Sequence, residues 1–306
     1  NDTQEAFNMI DYFKRNGVLV KELKEDSGNY KKGDLVVDMA QAKRGYANHV
    51  LYKGSNESKW AAMYAELVVN FPDMKGFKAQ PVFGDKLFEG KLRYVTAVGA
   101  ARTSQVDQKA PYYVIANTSE SAVKAVNKAL AEGKKVYLTD DGYIVDTPTF
   151  TSLLDRYAIY GDALYKIPQW QTLKSLKVYA PPHQFYWAGV DSPAHTALAL
   201  KNMGFEIVDS PEEADVIVLE SNNYDKSLVG LKPTIVVGGS AMQRVEKLGI
   251  LDGFDAERFK NGSDYEGLMK AIIQDKDPLT SGYKKDGLFY SNSGNWIAKI
   301  PANFRT

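Results

Sequence analysis

Asp215-Val-Ile-Val-Leu219 and Thr234-Ile-Val-Val-Gly-Gly-Ser-Ala-Met-Gln243 decide how the second half of this chain reads. Each contains a short unbroken apolar run rich in β-branched residues, the pattern of a parallel strand covered on both faces. Working outward, Lys177-Val-Tyr-Ala180 and Phe205-Glu-Ile-Val208 read as further strands. The spacing predicts a helix from Pro193 to Met203, with Ser192 as N-cap, Pro193 in the first turn and Gly204 closing it. Another helix is expected from Tyr265 to Ile273. Strands and helices in alternation predict an open, doubly wound, mostly parallel α/β domain over residues 175–306.

The first half has a different rhythm. A helix is expected from Thr3 to Asn16, stopped by Gly17. Strands follow at Val18–Leu23 and Asp34–Asp38, and then a helix at Ala42–Tyr52. This order recurs. Asn117-Thr-Ser-Glu-Ser-Ala-Val123 follows Asn1-Asp-Thr-Gln-Glu-Ala-Phe7 at an offset of 116. The same offset carries Ala6 to Ala122, Ile10 to Val126, Gly17 to Gly133 and Val20 to Val136. A shorter hairpin at Asp140-Asp-Gly142 brings Asp38 onto Asp146 at an offset of 108. The reading is a tandem helix–strand–strand–helix domain over residues 1–165, with copies near 1–52 and 111–160. Pro111-Tyr-Tyr-Val-Ile-Ala116, a buried-strand run, precedes the second copy, and the first has no counterpart. Asn1-Asp-Thr3 reads as a helix cap, so the sequence is expected to be a piece of a longer protein. The absence of a signal peptide then says nothing of where the parent works.

Composition narrows the chemistry. The 306 residues include 38 Lys plus Arg and 38 Asp plus Glu, a net charge of zero that argues against a nucleic-acid partner or an anionic membrane surface. No apolar run approaches the roughly 18 residues of a membrane span. There is no cysteine, which excludes disulfides, thiolate zinc sites and cysteine nucleophiles. Only His49, His183 and His195 could serve as imidazole ligands or bases, and none lies in an H-x-x-E or H-E-x-x-H pattern. No metal site is assigned.

The candidate sites lie in the second half. A strand running into Gly238-Gly239-Ser240 and then a helix fits three arrangements: a nucleophile elbow lifting the Ser240 hydroxyl, an anion cradle of backbone N–H groups, or a tight turn with Ser240 as N-cap. Met242 stands where G-x-S-x-G requires its second glycine. A Ser240 nucleophile would need His183 or His195 as base, and no acidic residue is identifiable to orient either. His183 belongs to the aromatic loop Pro181–Gly189, where Phe185, Tyr186 and Trp187 could stack on a ligand or pack as a lid. Asp140 and Asp141 read as turn formers.

Gly33-Asp-Leu-Val-Val-Asp-Met-Ala-Gln-Ala-Lys-Arg-Gly-Tyr-Ala-Asn-His-Val-Leu51 resembles the region that follows the catalytic domain in large bacterial zinc carboxypeptidases of the carboxypeptidase A-like family. Trp60–Met74 and Asp277–Tyr283 look like the same architecture. The resemblance implies a secreted or cell-surface parent that removes C-terminal residues from peptides, with zinc in a catalytic domain upstream of Asn1. No catalytic residue carries over to this chain. The second half also resembles class I glutamine amidotransferases, and so a flavodoxin/amidotransferase-like fold, but with Gly238-Gly239-Ser240 where that family carries its cysteine.

Three readings follow. The leading one is a non-catalytic accessory region of such a carboxypeptidase, partnered by the parent catalytic domain and without a cofactor of its own. The second is a serine-dependent hydrolase using Ser240 with His183 or His195. The third is a module binding a glycan, peptide or small ligand through Gly238–Ser240 and Phe185–Trp187.

Overall fold

A computed structural model describes residues 3–52, 71–84, 86–95, 105–166, 171–185, 190–192, 195–258, 265–272, 286–293 and 295–301. It opens with α1 (Thr3–Arg15), whose Met9, Ile10 and Phe13 recur at helical spacing and are buried together. Then come β1 (Lys21–Leu23), β2 (Leu35–Val36), α2 (Arg44–Leu51), α3 (Phe71–Lys75) and β3 (Leu92–Tyr94). The three strands form an antiparallel sheet in the order β2-β1-β3. The helices close a core of Phe13, Val18, Val20, Ala47, Val50 and Phe77 against it.

The next segment comprises β4 (Tyr112–Ile115), α4 (Glu120–Ala131), β5 (Tyr137–Thr139), β6 (Gly142–Asp146), α5 (Thr147–Leu154), β7 (Gly161–Leu164) and β8 (Gln171–Thr172). These five strands are antiparallel, in the order β7-β4-β6-β5-β8. Local chemistry sets both helix starts. Ser119 Oγ accepts from Ala122 N–H at 3.2 Å, and an Asp146 carboxylate oxygen accepts from Thr149 N–H at 2.8 Å. Tyr113 from β4 stacks on Phe150 from α5 with ring centroids 4.2 Å apart and planes 6° from parallel.

The two antiparallel sheets pair in matching register. Lys21 faces Val36 and Glu22 faces Leu35, just as Tyr137 faces Ile144 and Leu138 faces Tyr143. On the other side, Lys21 faces Tyr94 as Tyr137 faces Thr172. Even the hydrogen bonds beyond the strand ends correspond: Val95 N–H donates to the Val20 carbonyl at 3.0 Å, and Leu173 N–H to that of Val136 at 2.9 Å.

Past β8 the chain builds a parallel sheet. β9 (Lys177–Tyr179) is followed by β10 (His183–Phe185), β11 (Val190–Ser192), α6 (His195–Asn202), β12 (Glu206–Ile207), β13 (Val216–Leu219), β14 (Thr234–Val236) and α7 (Gly239–Lys247). A four-stranded parallel sheet runs β12-β9-β13-β14. In chain order that is second, first, third, fourth, the order with which one kind of doubly wound sheet begins. Ile217, Leu219 and Tyr224 bury one face with Ala241 and Val245 of α7. The chain is therefore of the α/β class. Asn127 of α4 reaches across to this half, its amide donating to the Met203 carbonyl just after α6 at 2.9 Å.

Several expectations are corrected. Residues 265–272 are not helical: they form β16 (Tyr265–Ile272), paired antiparallel along its whole length with β17 (Asp286–Ser293). In a separate two-stranded sheet β15 (Asp255–Arg258) pairs antiparallel with β18 (Asn295–Lys299), so these strands do not extend the parallel sheet. Gly267 disfavours a helix interior by about 1 kcal/mol, and a long-range strand partner overrides the remaining helical propensity. β14 is an edge strand with Ile235 52% exposed, so its apolar run is not covered on both faces by the described residues. Ser192 ends β11, and the two residues between it and α6, where its expected role as helix cap would be decided, lie outside the described residues. Asn1, Asp2, Pro193, most of Trp60–Met74 and all of Asp277–Tyr283 lie outside the described residues.

Candidate functional site

In a parallel sheet of this order, ligands bind beyond the carboxyl ends of the strands. Here that edge is organised by the segment leaving β13. Glu220, directly after the strand, turns its carboxylate onto the start of α6. Its two oxygens accept from the backbone N–H groups of His195 at 2.5 Å and Thr196 at 2.6 Å. The side chain is only 13% exposed. Burial alone would raise its pKa, but hydrogen bonds from Thr196 and His195 outweigh it and hold the carboxyl below the ordinary glutamate value. Glu220 thus supplies in cis the negative charge that a helix N-terminus attracts.

The same segment anchors α7. Ser221, buried, donates its hydroxyl to the Asn223 side-chain carbonyl. The Tyr224 hydroxyl donates to the Ala241 carbonyl at 2.9 Å inside the core, and the Arg244 guanidinium donates back to the Tyr224 carbonyl at 3.3 Å. Asp225 accepts from Ser227 N–H at 2.8 Å and opens a short 3₁₀ turn over Lys226–Leu228. Residues 220–225 therefore fasten both helices to the carboxyl edge of the sheet with their own polar groups.

Ser240 is exposed on the first turn of α7, one residue beyond its start. The N-cap is Gly238, at φ 89°, a backbone region that L-residues avoid, so the tight-turn role falls to this glycine and Ser240 is not the cap. Gly239 is buried and is the first helical residue. His195 opens α6 with its Nδ1 4.0 Å from a Glu220 oxygen, beyond hydrogen-bond reach. Sequence reasoning missed that carboxylate because it arrives from a strand end 25 residues away.

Within the aromatic segment, residues 183–185 are a strand and not a loop. His183 and Phe185 lie on β10, which pairs with β11 so that His183 faces Ser192 and Phe185 faces Val190. Tyr186 and Trp187 fall between the strands and outside the described residues. Asp140 and Asp141 precede Gly142 at the β5–β6 turn, with Asp141 N–H donating to Thr139 Oγ1 at 3.3 Å.

Among the described residues no group of three or more His, Cys, Asp or Glu side chains is placed to hold a metal ion. His49 lies on α2, and the Glu220 carboxylate beside His195 is already held by backbone amides. No helix among the described residues is long and apolar enough to cross a membrane. Comparison with protein-family models, curated proteins and solved structures finds no match to this chain.

Proposed function

We propose that this chain is a non-catalytic accessory region of a secreted or cell-surface zinc carboxypeptidase, acting as scaffold, substrate-presenting surface or partner-binding module for the parent catalytic domain. In this reading, residues 1–165 are a tandem α/β repeat and residues 175–306 an amidotransferase-like doubly wound domain. The matching strand registers support the first assignment, and the second-first-third-fourth order of the parallel sheet supports the second. The parent's zinc belongs to its catalytic domain, and no step of peptide cleavage is assigned to residues of this chain.

One observation carries the non-catalytic reading. At the edge where a doubly wound sheet does its chemistry, Glu220 fills the start of α6 and Tyr224 ties down α7. At α6 the two backbone donors that would meet a substrate anion are already paired with the protein's own carboxylate.

The test compares this chain with its full-length parent on peptides bearing free or amidated C-termini, with and without chelator. The expected result is chelator-sensitive release of C-terminal residues by the parent and none by this chain alone. Chelator-sensitive release by the isolated chain overturns the reading. Covalent labelling of Ser240 by a fluorophosphonate probe would replace it with the serine-hydrolase alternative.

A further inference from the structure

α6 is held at both ends by groups from outside the helix. Glu220 takes the backbone donors at its start, and just past its end the Met203 carbonyl accepts the side-chain amide of Asn127 at 2.9 Å. Carbonyls at the end of a helix lack partners within it, and this one is met by a side chain 76 residues earlier, from the antiparallel half of the chain. The backbones also come close at this point. Gly204 follows Met203 at φ 87°, and a Cβ on it would lie 3.2 Å from the Asn127 Cβ and 3.7 Å from the Lys124 carbonyl oxygen. The left-handed backbone and the lack of space both select glycine. Asn127 is not one of the α4 residues that fill the core beneath, which are Ala122, Ala125, Val126 and Ala129. Its counterpart in α1, 116 residues earlier, is Asp11, exposed and paired with Arg15 one turn on at 2.9 Å. The same helix position is therefore surface in α1 and buried in α4, where the end of α6 lies against it. A buried carboxamide is costly unless hydrogen-bonded, and this one is bonded across to the other half.

We infer that Asn127 is a latch: by donating to the Met203 carbonyl it fixes the parallel-sheet half in one orientation on α4, and without that bond the two halves hinge about residues 174–176. Lys174, Ser175 and Leu176 join β8 to β9 and are exposed. The residues on either side of them belong to the two sheets. Leu173 N–H donates to the Val136 carbonyl at 2.9 Å, and Lys177 N–H to an Asp215 carboxylate oxygen at 2.8 Å. Relative motion is the ordinary behaviour of two units joined by a short exposed segment, unless a specific contact restrains them. The amide of Asn127 and the close approach of Gly204 are that restraint, and Asn127 is a positioning residue in this sense. This inference rests on these contacts and not on the accessory-region reading.

The chain has no cysteine, so a pair can be introduced for labelling without background. Spin labels on Asp141→Cys, at the β5–β6 turn, and on Lys247→Cys, at the end of α7, sit at exposed positions of the two halves. Pulsed electron resonance on the full chain reads the distance between them. With Asn127 intact, one narrow distance distribution is expected. Asn127→Asp keeps the shape of the side chain, removes the donor and installs the residue that α1 carries at this position. Asn127→Ala removes the donor while substituting the best helix former, so α4 is not weakened. Each should widen the distribution at least about twofold or add a second distance. Hydrogen exchange at β4, β6 and β13 should stay as in the unsubstituted chain, showing that both halves remain folded. The inference is overturned by a broad distribution before Asn127 is changed, or by a distribution that both substitutions leave as it was. Loss of exchange protection in α4 and β4 in both variants also overturns it, because Asn127 would then act within its own unit.

Discussion

The first and second antiparallel sheets share their wiring and divide their aromatic volume differently. On the helix before the hairpin, Phe13 occupies the position that Ala129 holds in the second sheet. Aligning the starts of α2 and α5, Ala47 occupies the position of Phe150. All four are fully buried. One core therefore takes its large ring from the helix before the hairpin and the other from the helix after it. Register and helix order are kept while volume moves across the core, as expected where cores tolerate changes that conserve volume and apolar pattern.

The largest effect expected from breaking this arrangement is at Phe150. Its ring is sealed under Tyr113 and its edge abuts Gly161 so tightly that a Cβ there would come within 2.5 Å. Phe150→Ala should destabilise the second sheet by about 3–5 kcal/mol, through lost burial plus a cavity the surrounding strands cannot close. Hydrogen exchange at β4 and β6 measures it, and the amides of β1 and β2 should be unaffected if the sheets unfold separately.

The converse change is smaller. Ala47→Phe should overpack the first core by about 1–3 kcal/mol, because Phe13 already fills it. Combining it with Phe13→Ala should recover part of that loss and recreate the second sheet's arrangement. A double variant less stable than both singles, in urea unfolding followed at α1, would show that the two cores are not interchangeable.

A third change contrasts α4 and α5, which carry local caps, with α6. Ser119 and Asp146 cap α4 and α5 from the residue immediately before each helix, whereas Glu220 reaches α6 from a strand end distant in sequence. Glu220→Ala should destabilise the start of α6 by about 1–2 kcal/mol. Because the folded-state pKa lies below the ordinary value, this stabilisation is present above the unfolded pKa of about 4.3 and lost as pH falls through the lowered one. Exchange protection of the first turn of α6 should therefore decline in acid in the wild type, while the variant lacks this acid dependence.

These contrasts mark where sequence stops being informative. α1 and α4 were legible because their apolar spacing and closing glycines are local signals, as were the hairpin and the runs that became β9, β13 and β14. β16 was not, because its partner β17 begins 14 residues after it ends and the pairing energy is written in neither segment alone. The same holds at the candidate site. Whether Gly238 or Ser240 caps α7 depends on a backbone angle, and Glu220 carries no signature of the helix it caps.

The finest test of the comparison lies in Gly17 and Gly133, which end α1 and α4 at φ 75° and 73°. Each donates its N–H to a carbonyl three residues back, from Gly17 to Lys14 and from Gly133 to Leu130, both near 3 Å. The bonds that follow also match, from Val18 to Phe13 and from Lys134 to Ala129, at 2.9 Å each. A Cβ at Gly133 would meet nothing within 4 Å, and one at Gly17 only the Lys43 side chain at 3.7 Å, so packing contributes little to either substitution. The cost of an alanine is then mainly the left-handed backbone itself, about 1 kcal/mol. Gly17→Ala and Gly133→Ala should therefore lower stability by nearly the same amount, although the cores beneath them differ. Thermal unfolding of the two single variants, with exchange at α1 and α4 as local reporters, tests this. A clear inequality would mean that the two helix ends share their geometry but not the energetics that hold it.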